Sequence, residues 1–224
     1  MFETHVLNLG TVSTAPVLLL QSLIGELAMD RKDKILHAAI DEFADKGYHL
    51  ARVRDICAKA KANLAAINYY FGGKEALYRE VIEFVFNISD PFDLVVKNHE
   101  HNMNPEKYLL SWIEAFLEST SSESPLYKYR YKIIIHEMVS PSPLLPEIME
   151  HKMTPRLTRL KEIVRKIKGS QIPEDEISAI CLLIIGQCIY FFNKPMVEGF
   201  TGQKDFVDKN IKLIAGKIIK TLTI

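Results

Sequence analysis

The sequence predicts an all-α protein with an N-terminal three-helix, helix-turn-helix unit and a larger C-terminal helical unit. Three observations carry this. From residue 31 onward apolar residues recur at i, i+3, i+4 and i+7. No stretch alternates with the period of two that a half-buried strand requires. The breaks between periodic segments are proline, glycine and small polar clusters, which punctuate helices.

Taken in order, Leu36, Ala39, Ile40 and Phe43 form the stripe of a first helix over 31–46, and Gly47 supplies its end. A short helix over 52–60 turns Val53 and Ile56 inward, and another over 63–71 turns Leu64, Ile67 and Phe71 inward. After Gly72 a longer helix opens at Lys74, striped by Leu77, Val81, Phe84, Val85 and Ile88. Further helices are expected over 105–121, 125–140, 144–168 (broken near Pro155), 174–193 and 204–222. Three units follow: an N-terminal extension over 1–29, a helix-turn-helix domain over 30–77, and a ligand-binding and dimerisation domain over 78–224.

Composition excludes little by itself. The chain has 224 residues, 48% hydrophobic and 25% charged, with no net charge, so any polyanionic partner must meet a local patch. Cys181 and Cys188 lie about 10 Å apart along a helix, too far for a disulfide, and with Cys57 the number is odd. This suits a reducing cytoplasm. The apolar run Val17–Ala28 lacks the basic start of a signal peptide and reads as an extension, or as sequence upstream of a start at Met29. The run Ile177–Phe192 falls short of the ~20 residues that span a bilayer and contains Gln187, so it reads as a core or interface helix, not a membrane span.

Two short helices joined by about three residues behind a third make a helix-turn-helix candidate. From Arg52 to Lys74 the basic residues are Arg52, Arg54, Lys59, Lys61 and Lys74, and the only acid is Asp55. That is a basic footprint in a neutral chain, of the kind DNA requires.

The stretch "RKDKILHAAIDEFADKGYHLARVRDICAKAKANLAAINYYFGGKEALY" (31–78) resembles the DNA-binding domain of TetR-family transcription regulators. The likeness rests on Ala39 and Phe43, Gly47-Tyr48, Val53-Arg54-Asp55-Ile56, Tyr69-Tyr70-Phe71 and Lys74-Glu75-Ala76-Leu77. "HEMVSPSPLLPEIMEHKMTPRLTRL" (136–160) and "ISAICLLIIGQCIYFF" (177–192) further resemble the CecR-type branch. Three departures stand out. Where the family usually has a capping Thr or Ser, this chain has His49-Leu50-Ala51-Arg52. Where the turn usually has Gly, it has Lys61, with Asn63 as the alternative turn residue. The small residue inside the second helix is Cys57.

The resemblance implies a ligand-responsive repressor that binds a palindromic DNA operator as a homodimer, with a small-molecule effector, no cofactor and no metal. The third helix then offers Ala62, Ala65, Ala66 and Tyr69 to the major groove. Small alanines allow close approach and Asn68 suits adenine. Tyr69 and Lys74 suit phosphates, with Arg52, Arg54, Lys61 and Asn63 around them. Trp112, Phe116, Tyr127, Arg130 and Tyr131 mix apolar surface with a few polar groups, which suits a ligand pocket or a helical core equally. Ile185 and Ile189 are expected in a dimer seam. The competing class is a helical enzyme or protein-interaction module without DNA contact, which needs a paired acid, base or metal site. His136-Glu137 lacks the second histidine of a zinc-protease motif, since position 140 is Ser. His99-Glu100-His101 sits in a polar stretch and reads as a solvated loop.

Overall fold

Asp30 starts the first helix, its carboxylate accepting the Arg31 N–H at 2.6 Å. The computed structural model describes residues 30–87, 104–121 and 125–221. Helices α1 (Arg31–Leu50), α2 (Val53–Ala60), α3 (Leu64–Phe71) and α4 (Lys74–Asn87) are followed by α5 (Pro105–Ser121) and α6 (Pro125–Val139). Then come α7 (Leu145–Ile148), a π-helical turn (Met149–Met153), α8 (Thr154–Lys168), α9 (Glu174–Tyr190), α10 (Lys194–Thr201) and α11 (Phe206–Thr221). Among the described residues no single helix is long and apolar enough to cross a membrane. Expectations for residues 1–29 and for His99-Glu100-His101 lie outside the described residues.

Two buried cores organise the chain. The first gathers Ile35, Ile40, Phe43, Ile56, Ile67, Leu77 and Tyr78 from α1–α4, with Ile133 of α6 and Leu144 and Ile148 at the corner beyond it. It continues through Val81, Val85 and Phe86, so the boundary expected after residue 77 falls inside one packed helix. The second gathers Trp112, Ile113, Leu160, Ile177, Cys181, Ile184, Cys188 and Ala215 from α5, α8, α9 and α11. Burial pushes the Cys188 thiol up to about 12 and that of Cys181 to about 11, so both behave as packing groups rather than nucleophiles.

Helix α6 joins the first core to the rest. It lies along α1, where Tyr129 donates to Asp41 and Lys132 to Asp45. One turn further on, His136 presses against Gly47, the kink in α1 (φ 69°). Its other side meets α4. The Arg130 guanidinium donates to the Val85 carbonyl at 2.8 Å, and Glu137 accepts the Tyr78 hydroxyl at 2.7 Å.

Two sequence expectations change. The helix over 144–168 does not break near Pro155. The chain stays helical through a π turn, in which the Thr154 N–H bonds back to the Met149 carbonyl. Pro155 then stands directly after the π turn, in the first turn of α8. The helix expected to reach residue 193 ends at Tyr190. Asn193 caps a separate helix, accepting the Met196 N–H at 3.2 Å, and Gly202 (φ 66°) closes it.

Gly47 is needed twice over, for its positive φ and for space: a Cβ there would lie 2.8 Å from His136 Nδ1. Gly72 also has positive φ, but a Cβ there meets nothing within 4 Å. Gly47→Ala is therefore expected to lower the urea-unfolding free energy by about 1–3 kcal/mol, and by more than Gly72→Ala does. Equal costs in the two variants would show that the α1–α6 contact contributes nothing.

Candidate nucleic-acid interface

Helix α2 opens at Arg52, in extended conformation and without a side-chain cap. It closes on Lys61, which takes the left-handed conformation (φ 50°, ψ 43°). The Lys61 N–H bonds to the Ala58 carbonyl and the Ala62 N–H to that of Cys57, satisfying carbonyls that the helix end would otherwise orphan. Asn63 is extended (φ −118°) and is not the left-handed turn residue; it caps α3, its Oδ1 accepting the Ala66 N–H at 2.9 Å. Lys61 thus occupies a position most side chains avoid.

Helix α3 buries Ile67 and Phe71. Leu64, Ala65, Asn68 and Tyr69 are exposed, Leu64 by 58% and Tyr69 by 82%. This corrects the orientation read from sequence. Leu64 faces outward, while Ala66, with Ala62 and Tyr70, packs part-buried against the first core. Among the described residues the Asn68 amide and the Tyr69 hydroxyl have no hydrogen-bond partner. Gly72 (φ 84°) and Gly73 (φ 134°) then reverse the chain into α4. Lys74, at the start of α4, lies 4.7 Å over the Tyr48 ring and 3.5 Å from the His49 carbonyl. Partial burial lowers its pKa.

The basic footprint is thinner than the sequence suggested. Glu42 of α1 is fully buried and holds Lys46 at 2.5 Å and Lys59 at 2.9 Å. Asp55 takes Lys46 as well, at 3.1 Å, and lies 3.6 Å from Arg54. Arg52 and Lys61 have no ion-pair partner among the described residues. The network ties α1 to both ends of α2; the Glu42–Lys46 pair is local at i,i+4, but Lys59, 17 residues away, has no local signal.

The five candidate pocket residues fall into two groups. Trp112 stacks on Phe116 (5.5 Å between centroids), and Phe192 joins Phe116 (5.2 Å) to Tyr131 (4.3 Å). Arg130 is turned away from that column, over Phe86 at 5.5 Å and Tyr127 at 5.7 Å, with Arg156 at 6.0 Å from the same Phe86 ring. Phe86, Arg156 and Phe192 were missed: Phe86 lies off the stripe read on its helix, Arg156 on a helix read only for its bounds, and Phe192 in the turn just past the end of α9.

Helix α9 carries an exposed stripe of Ala179, Leu182, Leu183, Gly186 and Tyr190 at i, i+3, i+4, i+7 and i+11. Leu182 and Leu183 are 63% and 62% exposed, and Leu213 on α11 is 56% exposed. Ile185 and Ile189, expected at the seam, are half-buried at its flank, and Ile185 packs against the chain's own second core.

Comparison with known proteins agrees with this geometry. Residues 35–81 match the profile of "Bacterial regulatory proteins, tetR family", and residues 105–223 match that of the "HTH-type transcriptional dual regulator CecR, C-terminal domain". The chain is 25% identical over 170 residues to IcaR of Staphylococcus epidermidis, a negative transcriptional regulator of the biofilm operon icaADBC; the match covers 75% of this chain and 86% of IcaR. It is 25% identical over 191 residues to the transcriptional dual regulator CecR of Shigella flexneri, covering 82% of this chain and 85% of CecR. Among solved structures, the hemolysin II transcriptional regulator HlyIIR superposes with a TM-score of 0.61 at 26% identity, covering 87% of this chain and 97% of that one.

Glu42 gives the interface a pH dependence. Burial works to raise its pKa, but the hydrogen bonds and charges of Lys46 and Lys59 outweigh it and hold the carboxyl below its ordinary value. A depressed folded-state pKa means the stabilisation is complete above the unfolded carboxyl's value of about 4.3, and is lost as pH falls through the folded value. Glu42→Gln should cost about 1–3 kcal/mol at neutral pH and should flatten the loss of stability in acid. Thermal melts from pH 7 down to pH 3 check both, and a variant with the same acid slope as the parent would remove Glu42 from the account.

Proposed function

The chain belongs to the TetR family of bacterial regulatory proteins, with a C-terminal domain of the CecR type that spans more than half its length; on that premise we propose that it is a homodimeric, effector-responsive repressor that reads a palindromic operator in the cytoplasm through α3. It is a transcription regulator rather than an enzyme. The observation that carries the reading is the exposed row on α3, where Asn68 and Tyr69 present polar groups that nothing else in the described chain uses. Asn68 faces base edges, and Tyr69, Lys74, Arg52 and Lys61 face phosphates. Arg54 stands at the edge, its charge shared with Asp55.

An effector fits the second core. The column Trp112–Phe116–Phe192–Tyr131 offers aromatic surface to a small, largely apolar molecule. Movement there reaches α4 through Glu137 and Val85, the two points where α6 bonds to that helix. Coupling needs only that effector and operator prefer different arrangements of those contacts.

Phosphate contacts position a protein, whereas base contacts specify a sequence. Lys74→Ala should weaken operator and random DNA alike and reduce the log–log salt slope by about one. Asn68→Ala should cost about 1–3 kcal/mol on the operator and little on random DNA. Titrations at several salt concentrations test both. Normal affinity in both variants, each folded, would defeat the DNA-reading assignment.

The dimer seam is centred on the α9 stripe and Leu213. Leu183→Glu places a charge in that seam and should yield a folded monomer by sedimentation, whereas Ile185→Glu should chiefly lower stability, since Ile185 already packs within its own subunit. A Leu183→Glu protein that stays dimeric would move the seam elsewhere.

A further inference from the structure

The reading helix contains no charged residue: α3 is Leu-Ala-Ala-Ile-Asn-Tyr-Tyr-Phe. Guanine is usually read by Arg or Lys reaching O6 and N7, and α3 has neither. On its exposed face only Asn68 and Tyr69 can hydrogen-bond from a side chain. The rest of that face is Leu64 and Ala65, and Leu64 is more than half exposed. Leu64 does not serve the fold, since the first core takes Ala62, Ala66 and Tyr70 from this segment and leaves it out. It is held firmly nonetheless, because Asn63 immediately before it is the helix cap. One helical turn separates Leu64 from Asn68, so both point the same way.

The one apolar group that the major groove displays is the C5-methyl of thymine. We infer that Leu64 is a specificity-determining residue that packs on a thymine methyl beside the base pair held by Asn68, and that the bases α3 contacts are therefore A·T-rich. The inference rests on the DNA-binding reading above and adds to it which bases are read and by what contact. Ala65, small and on the same face, lets the helix approach closely enough for Leu64 to reach.

The test uses the full-length protein and operators selected from random duplexes. Each thymine of the selected half-site is then replaced by uracil, which removes the C5-methyl and leaves every hydrogen-bonding group in place. One position in the region contacted by α3 should lose about fourfold in affinity, the effect of one buried methyl. Leu64→Ala should weaken the thymine operator by a similar factor and erase the difference between thymine and uracil at that position. Leu64→Met, which keeps an apolar side chain, should retain it. Circular dichroism checks that both variants remain helical. An operator whose contacted bases are G·C-rich, indifference to uracil at every position, or a thymine preference that survives in Leu64→Ala would each overturn the inference while leaving DNA binding intact. Failure to select any sequence would instead overturn the DNA-binding reading, and this inference with it.

Discussion

Glu137 is a carboxyl group 5% exposed, and the relation between the two halves of the molecule depends on how it is satisfied. A buried carboxylate is tolerated only when its oxygens find donors of good geometry. One oxygen accepts the Tyr78 hydroxyl of α4 at 2.7 Å, and the other the Ser142 N–H at 3.0 Å in the corner after α6. Three elements are thereby fixed by one side chain. Burial first, and then this bond, raise the Tyr78 phenol far above its ordinary range, so it stays a donor at any physiological pH. Around this point the contacts are ionic and nearer the surface, as with Arg79 on Glu147 and Lys152 on Glu83. Exposed ion pairs contribute little each and are screened by salt. The buried pair sets the position, and the outer pairs add little to it.

Electrostatics and reading are separated in this head. Glu42 and Asp55 engage Lys46, Lys59 and Arg54, so these cations brace α1 against α2. Arg52 and Lys61, which have no ion-pair partner among the described residues, stand at the two ends of α2, where they flank α3 rather than occupy it. Attraction to a polyanion therefore acts at the rim of an apolar and amide-bearing face. Charge at the rim favours encounter and register, and leaves discrimination to short-range contacts at the centre.

How much of this was legible in the sequence depended on how much pattern each segment holds. The helices came through because Gly72, Pro105 and the proline clusters mark their ends; Gly47, expected to end α1, kinks it, and the helix runs on to Leu50. The phase of α3 did not. Eight residues give barely two turns, and with almost every residue apolar or small the stripe has no polar edge to orient it, so Leu64 and Ala66 exchanged places. The same fault put the outer face of α9 at Ile185 and Ile189, whereas Leu182 and Leu183 are the exposed pair, since a helix apolar all round does not announce its outer face. Pro155 was read as a break because sequence does not reveal a preceding π turn. The five candidate pocket residues fall into two groups because the long-range packing that places Phe192 in the column and turns Arg130 toward Phe86 has no local signature.

The turn between α2 and α3 shows where local preference gives way. A side chain in the left-handed region costs about 1–2 kcal/mol relative to glycine. The chain accepts that cost at Lys61 and offsets part of it two residues later, where the Asn63 cap contributes about 1 kcal/mol. A glycine at 61 would make a stabler turn and would remove one of the cations left unpaired in this region. A lysine there keeps an ammonium group at the N-terminal side of the reading helix, where the helix dipole also favours an anion. The strain at Lys61 sits in the turn that the proposed reading sets against the nucleic acid, while the buried carboxyls of Glu42 and Glu137 restrain the elements behind it.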